Sequence, residues 1–502
     1  MIKPDPLALP YDLLPPEAES TFEGHRAFGY DLATALADIV DNAITAKAHH
    51  VWIDFEWDGP ASTITITDDG NGMSEKELIA AMRLSSRNPR DERPAHDLGR
   101  FGLGLKTASL SQCRRFTVRA RSTRKVAVTR CWDLDVIQAA KDWRLLRAGD
   151  TDAEPCFRRL AKLPRGTAVV WQKLDRLTAD TRTEDDTDHQ HFLRRIEEVR
   201  THFGIVFHRL IGKGGPRSGV AVILNGHPVI PWDPYLEDAA ATYALAPTTI
   251  AFGRARIRVD PFILPHLSKL PKTRHESAAG PRGWNGHQGF YIYRNERLLV
   301  AGDWLGFWPR QDIHRLARIR VDLPNSIDDQ WQIDVTKSRA VPPPAIRAEL
   351  RRIGERTRAE ARRIYTHRGA KLTPQPHIER TFLWEPRAKH DKTYYRLNAD
   401  HPLIKRAIAA TTDKPAMKAL LRLIEETIPL HHITGENSEK PDLQPQPFEG
   451  SEKDARGVME IAFRSLCDSG YSKRDALNRL RTLWPFELLP ELLQAFEEEL
   501  NV

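Results

Sequence analysis

The stretch Asp38-Ile39-Val40-Asp41-Asn42-Ala43-Ile44-Thr45-Ala46 decides how the front of this chain is read. It lies in a run from Asp31 to about Lys47 in which Leu32, Leu36, Ile39, Val40 and Ala43 fall on one side when each position advances by about 100°. That spacing predicts a helix with one apolar stripe. Asp38 and Asn42 are one helical turn apart, stacked on a face away from the stripe. A carboxylate and an amide oxygen so placed can hold an attacking water and complete the oxygen shell of a Mg²⁺ that a phosphate chain also ligates. Alone, the pattern also fits an amphipathic helix with a polar outer face.

Outward from this helix, Val51-Trp-Ile-Asp-Phe55 and Ile64-Thr-Ile-Thr67 alternate as paired strands do, with the turn Asp58-Gly-Pro between them. The second run ends in Asp68-Asp69-Gly70-Asn71-Gly72-Met73. A carboxylate only accepts hydrogen bonds, so Asp68 suits the exocyclic amino group of adenine and repels the carbonyl that guanine carries there. Gly70 and Gly72 let backbone come close to a base, and Met73 can pack on it; a plain turn is the alternative. A helix is expected over about 74–83, then a polar stretch, Ser85 to Asp97. Next comes Gly99-Arg100-Phe101-Gly102-Leu103-Gly104-Leu105-Lys106-Thr107, a glycine-rich turn running into a helix. Backbone N–H groups freed at such a turn point at phosphates, aided by the helix dipole. It is not a P-loop, because Leu105 precedes Lys106 and no buried parallel strand leads into it. Strands are expected at 115–120, 125–134, 143–147 and 167–172. The order predicts an α/β sandwich with mixed or antiparallel strands on one face.

Three motifs in this order resemble the N box, G1 box and G2 box of the GHKL superfamily, the Bergerat-fold ATPases of gyrase, heat-shock chaperones, histidine kinases and MutL. Gly166-Thr167 resembles the further threonine that supports the adenine site. His202-Phe-Gly-Ile-Val-Phe-His-Arg-Leu210, Asn225-Gly226 and Trp232-Asp-Pro234 resemble the S5-like transducer domain that follows in the gyrase, MutL and MORC branches. Asp334-Val-Thr-Lys337-Ser338 resembles the transducer loop whose lysine reaches the γ-phosphate. The resemblance covers about residues 25–345, and Gly-x-Phe-Gly-x-Gly-Leu-Lys is closest to MORC-like ATPases. It implies ATP and Mg²⁺ as ligands, with Asn42 on the metal and Asp38 and Lys337 in catalysis. Asp68, Gly70, Gly72, Met73, Gly99, Arg100, Phe101, Gly102, Leu103, Gly104, Lys106 and Thr167 would surround the nucleotide. The chain departs from that pattern in one place: Asp38 stands where those relatives have Glu. Proton abstraction needs the carboxylate more than its length, so Asp38 keeps the general-base assignment and slow turnover is the consequence. The resemblance further implies an ATP-dependent dimer closed through an arm at residues 1–26, with 85–97 as a lid. It points to a clamp acting on DNA in bacterial genome maintenance or anti-phage, restriction-associated defence, with a separately encoded helicase or nuclease.

The chain has 502 residues, room for several domains. The reading divides it into an ATPase domain at 27–185, a transducer domain at 190–345, an Arg-rich helix and mixed segment at 346–432, a linker at 433–452 and a helical module at 453–502. The stretch Thr181 to His191 serves as a charged boundary. Apolar residues make up 40% and charged ones 28%, ordinary for a globular protein. No apolar run is long enough to span a bilayer and no signal peptide is legible, so a cytoplasmic protein is expected. The four cysteines lack metal-ligand spacing, which argues against structural zinc. Lys and Arg exceed Asp and Glu by 75 to 68, a mild excess that permits nucleic-acid contact without requiring it. Arg347, Arg351, Arg352, Arg356, Arg358, Arg362, Arg363 and Arg368 crowd one expected helix among Glu349, Glu355 and Glu360. A solvated, salt-bridged helix and a phosphate-backbone contact both fit. A chaperone-like ATPase acting on protein clients is the alternative function. A histidine kinase is disfavoured, because no dimerisation helix pair with a phospho-acceptor His precedes the motifs.

Overall fold

The computed structural model describes residues 12, 14, 16–27, 29–84, 104–123, 126–211, 219–327, 330–331, 340–366, 382–389, 392–429, 447–448, 450–483, 485–486 and 489–500. The chain divides into two compact units: Met1–Pro265 with Lys272–Arg363, and His266–Pro271 with Ile364–Val502.

The first unit opens with α1 (Ala18–Arg26) and α2 (Leu32–Thr45), the expected helix, whose N-cap Asp31 accepts from the Thr34 N–H. Strands β1 (His50–Glu56) and β2 (Thr63–Asp68) pair antiparallel, Val51 opposite Asp68. Helix α3 (Glu75–Met82) starts at a capping box, in which Ser74 accepts from the Glu77 N–H and the Glu77 carboxylate accepts from the Ser74 N–H. Then come α4 (Gly104–Gln112), β3 (Arg115–Arg121), β4 (Val128–Asp133), α5 (Leu134–Ala140), α6 (Arg158–Lys162), β5 (Gly166–Gln172), α7 (Asp175–Thr178) and α8 (Asp186–Val206). Two short strands, β6 (Ala221–Leu224) and β7 (His227–Pro228), join β1 rather than starting a separate sheet, in the order β4-β3-β5-β2-β1-β6-β7. Their turn, Asn225-Gly226, has φ +45° and +78°, the left-handed pair that a two-residue hairpin requires.

Helices α2 and α4 lie together on one face of this sheet, where Leu36, Val40, Val51, Ile53, Ile66, Leu110, Phe116 and Trp171 share a core with Phe203 of α8. Strand β5 is buried at every position because Ala153, Phe157 and Leu160 cover its other face, which is why Gly166–Gln172 reads as a continuous apolar run. Two expectations need correction. Residues 143–147 form no strand, only a bridge from Leu146 to Cys131, because Asp142 turns the chain by accepting from the N–H groups of Trp143 and Arg144. Most of the charged stretch at 181–191 is helix: Asp185 caps α8, and Asp186 and Asp188 in its first turn favour the positive end of the dipole.

The second sheet of this unit contains β8 (Tyr243–Ala244), β9 (Thr248–Phe252), β10 (Ala255–Ile263), β11 (Gly289–Arg294), β12 (Arg297–Asp303) and β13 (Ala317–Leu323), in the order β12-β11-β13-β10-β8 with β9 on β10. Short helices α9 (Lys272–Ala279) and α10 (Gly283–Gly286) precede β11. Tyr235, Phe262, Tyr291, Tyr293 and Leu298 form its core cluster. Trp304 and Trp331 are buried and Trp308 is half-buried. Helix α11 (Pro344–Thr366) is laced by Arg351–Glu355, Arg352–Glu349 and Arg363–Glu360 ion pairs, while Arg347 stacks over Phe307 and Arg358 over Trp308.

The second unit holds the hairpin β14 (Trp384–Lys389) and β15 (Lys392–Leu397) and helices α12 (Pro402–Ala410), α13 (Lys414–Glu426), α14 (Glu452–Asp468), α15 (Lys473–Leu480) and α16 (Pro490–Glu499). Met459, Phe463, Leu477, Leu480 and Phe496 pack its helical core, and Ser472 caps α15 by accepting from the Asp475 N–H. Among the described residues no helix is long and apolar enough to cross a membrane.

Candidate functional site

The end of β2 places Asp68 at the edge of the helix layer. Its carboxylate is 9% exposed and accepts from the Gly70 N–H at 2.8 Å. Burial pushes its pKa up to about 7, against the lowering effect of the Gly70 and Thr167 backbone donors. Such a group is poised to gain from a further donor that prefers the anion. Thr167 pairs directly opposite Asp68 at the start of β5 and is itself buried.

The glycines around Asp68 are required by space. A Cβ on Gly72, where φ is +65°, would lie 1.9 Å from the Arg121 carbonyl oxygen. One on Gly166 would lie 2.0 Å from the Asp68 carbonyl oxygen. The loop is then stitched to the end of α2: the Asn71 N–H donates to the Ala46 carbonyl at 2.9 Å. Asp69 ties it to β1, accepting from the His49 and His50 N–H groups and the His50 ring. These bonds hold the Asp69 carboxyl below its ordinary value despite partial burial. Met73 is half-buried against the core beside this loop.

On α2, Asp38 and Asn42 have opposite fates. Asn42 is exposed and open to a ligand. Asp38 is only 3% exposed, because α4 and α8 both flank the helix and leave no free polar face of the kind its periodicity suggested. The Tyr30 hydroxyl donates to Asp38 Oδ2 at 2.9 Å. Burial first, then Asp38 beside it, pushes the Tyr30 phenol pKa well up, so it stays a donor. The start of α4 closes on the same group: a Cβ on Gly104 would sit 3.3 Å from Asp38 Oδ2. The first and third motifs therefore meet at Asp38.

Lys106 was expected at the nucleotide. It is buried, and its ammonium donates to the Ala81 carbonyl at 2.9 Å. The unpaired carbonyls ending α3 draw a cation there, so Lys106 ties α4 to α3. Gly99, Arg100, Phe101, Gly102, Leu103 and Lys337 lie outside the described residues, as do the expected lid at 85–97 and residues 1–11, 13 and 15 of the expected arm; the rest of that arm includes α1, whose Ala18 and Phe22 are buried in the core against α4 and α5.

Sequence reasoning passed over four contributors: Tyr30, Gly166 as the close-approach residue, and a buried ion pair between Asp41 and Arg297. The Arg297 Nε lies 3.0 Å from Asp41 Oδ1 and 2.8 Å from Oδ2, with both side chains at most 3% exposed. Only Asp41 carried a signal, its place inside the quoted motif.

Among the described residues no three His, Cys, Asp or Glu side chains converge to hold a metal. Exposed Asn42, one turn from Asp38, is an oxygen donor suited to a Mg²⁺ that takes its remaining ligands from phosphates and water.

Residues 30–167 match the family of histidine kinase-, DNA gyrase B-, and HSP90-like ATPases. The crystal structure of the ATPase and transducer domains of DNA topoisomerase II from Balamuthia mandrillaris is similar at 16% identity, over 66% of this chain and 84% of that one, with a TM-score of 0.36. No curated protein matches. Asp38, Asn42, Asp68, Gly104 and Thr167 all fall within the matched stretch, and residues 30–167 have the fold of the histidine kinase-, DNA gyrase B- and HSP90-like ATPases.

Proposed function

We propose that this chain binds Mg-ATP, hydrolyses it slowly, and uses the cycle to close a dimeric clamp on duplex DNA in bacterial genome maintenance or anti-phage, restriction-associated defence. One observation carries the reading: the helix after the glycine loop is packed against the Asp38 carboxylate, while the glycine turn after β2 holds a second buried carboxylate, Asp68, whose pKa burial raises to about 7. Adenine fits the first because its amino group is a donor. Phosphates fit the backbone N–H groups opening α4. Asn42 would hold Mg²⁺, which when bound offsets charge on the phosphates.

In this mechanism Asp38 accepts the proton of the attacking water as its oxygen bonds to the γ-phosphorus and the bond to the β–γ bridging oxygen breaks. Gly99, Arg100, Phe101, Gly102 and Leu103 cradle the phosphate chain. Lys337 steadies the charge of the transferring group. Because Lys337 follows the second sheet in sequence, nucleotide state acts on the arrangement of the two sheets. The arm at 1–26 links two copies of the chain when ATP is bound. The DNA assignment draws on α11, where seven arginines from Arg347 to Arg363 outnumber three glutamates, and on the resemblance to MORC-like ATPases. A cytoplasmic location and a separately encoded helicase or nuclease partner belong to the same reading.

The test is the ATPase rate with and without duplex DNA, in wild type and Asp38→Ala. Hydrolysis stimulated by DNA in a salt-sensitive way, and lost in the variant with nucleotide binding retained, supports the reading. Wild-type turnover in Asp38→Ala overturns the catalytic assignment, and stimulation by unfolded protein instead of DNA overturns the clamp.

A further inference from the structure

Asp41 sits between the two residues of α2 that the proposed function uses, and its partner comes from far along the chain. Arg297 opens β12 immediately after the turn Asn295-Glu296, where φ is +50° and +70°. Its guanidinium reaches back to α2, donates to Asp41 through Nε and to the Leu298 carbonyl through Nη1, and lies 5.6 Å from the Phe207 ring centroid. Helix α8 packs against both α2 and β12. On it His202, whose Nε2 is buried without a partner among the described residues, stays neutral: burial and the adjacent Arg297 push its pKa down to about 4. Arg297 is therefore the cation that answers Asp41. Its field also reaches the Tyr30 phenol, which is hydrogen-bonded to Asp38.

The turn of this hairpin is itself held in place. Asn295 Nδ2 donates to Asn325 Oδ1 at 2.7 Å, and Asn325–Ile327 is the helical turn that follows β13. Glu296 pairs with Arg209 at 2.6 Å, and Arg209 pairs with Asp322. The turn is thus braced on β13 and on the helical turn Asn325–Ile327 that follows it, while the residue after it grips α2.

We propose that Arg297 is a positioning residue for hydrolysis: through Asp41 it sets the place of Asp38 and Asn42 on α2, and it ties them to the β12 hairpin. The inference rests on the ATPase reading above. A buried ion pair holds its geometry sharply, because either charge left alone in the interior is strongly disfavoured. A small displacement of the hairpin is therefore followed by α2 rather than absorbed. Nucleotide contacts at Asp68 lie on another strand and do not depend on this grip. The consequence is a separation of effects, with hydrolysis sensitive to the pair and adenine binding indifferent to it.

The experiment measures kcat, KM and fluorescent-ADP affinity in the full chain for Arg297→Met, Arg297→Lys, Asp41→Asn and the Arg297→Met/Asp41→Asn double variant. Expected are a fall in kcat of at least tenfold in the single variants, ADP affinity within threefold of wild type, partial recovery in Arg297→Lys, and a double variant no worse than the worse single one. Hydrogen exchange supplies a readout independent of turnover: a non-hydrolysable ATP analogue should protect the β12 amides in wild type and leave them unchanged in Asp41→Asn. Unchanged kcat in the singles overturns the inference, as does loss of ADP affinity in step with kcat, which marks a structural role. If Arg297→Met does not fold, Arg297→Lys and the exchange experiment decide. If Asp38→Ala hydrolyses ATP normally, the ATPase reading fails; if Asp38→Ala is inactive but the Arg297 variants are not, only this inference fails.

Discussion

The carboxylate of Asp68 gives the site a pH signature that can be worked out in advance. Burial holds its folded, nucleotide-free pKa at about 7, where the ordinary value is 3.8. The sign follows: between those two pH values the folded protein binds a proton that the unfolded chain has lost, so this group's contribution to stability declines as pH rises through the window. An adenine amino group donating to Asp68 favours the anion, so below pH 7 binding must first expel the proton. At pH 5.5, 1.5 units below that pKa, the loss reaches about 30-fold, or ~2 kcal/mol at ~1.36 kcal/mol per unit. Nucleotide phosphates titrate in the same range, so the comparison needs a ligand with identical phosphates. Purine riboside 5′-diphosphate has them and lacks only the amino donor. The ratio of its Kd to that of ADP, measured by fluorescence competition, should be roughly 30-fold larger at pH 8.5 than at pH 5.5. A ratio constant within threefold would show that Asp68 does not receive the amino group as an anion. A ratio that rises toward low pH would show the protonated acid donating to the ring instead.

Other consequences follow from packing. Gly166→Ala forces a Cβ to within 2.0 Å of the Asp68 carbonyl oxygen at φ +142°; it should cost about 2–4 kcal/mol and remove ADP binding, read by thermal shift with and without nucleotide. Ser74→Ala breaks the capping box of α3 and should cost only about 1 kcal/mol, leaving ADP affinity unchanged in the same assay. Asp38→Glu should not restore fast turnover, because the space beyond Asp38 Oδ2 is taken by the Tyr30 hydroxyl and Gly104; steady-state phosphate release above the wild-type rate would contradict that packing.

Local signals in the sequence were reliable where each acts on its own neighbours. The helix expected from about residue 74 begins at the Ser74 cap, and the Asn225-Gly226 turn forms from its own residues, so neither needs a distant partner. The stripe on α2 was legible too, but not the second layer of cover: Phe203 of α8 comes from far along the chain, and no window around residue 38 contains it. That is why Asp38 was read as a free polar face and is instead buried. Strand order failed to show for the same reason, since β6, beginning at Ala221, pairs parallel with β1, beginning at His50. The residues 143–147 misled because their alternation is strand-like while the turn is made by the side chain of Asp142, just outside the run. Gly166 was noted only for its threonine neighbour, and its closeness to Asp68 arises from antiparallel register.

One turn of α2 thus carries three polar residues with three different environments. Asn42 faces outward, Asp38 is buried under the Tyr30 hydroxyl, and Asp41 is buried against Arg297. A helix with two buried carboxylates cannot pack against this sheet unless both find partners, since each unanswered charge would oppose folding by several kcal/mol. Tyr30 comes from the residue just before the helix cap, but Arg297 comes only when the second sheet is in place. The helix that holds the proposed water-activating carboxylate is therefore incomplete without that sheet. Stability and control then lie in the same bonds: the contact that lets α2 bury Asp41 is also the contact through which the second sheet can reach the site.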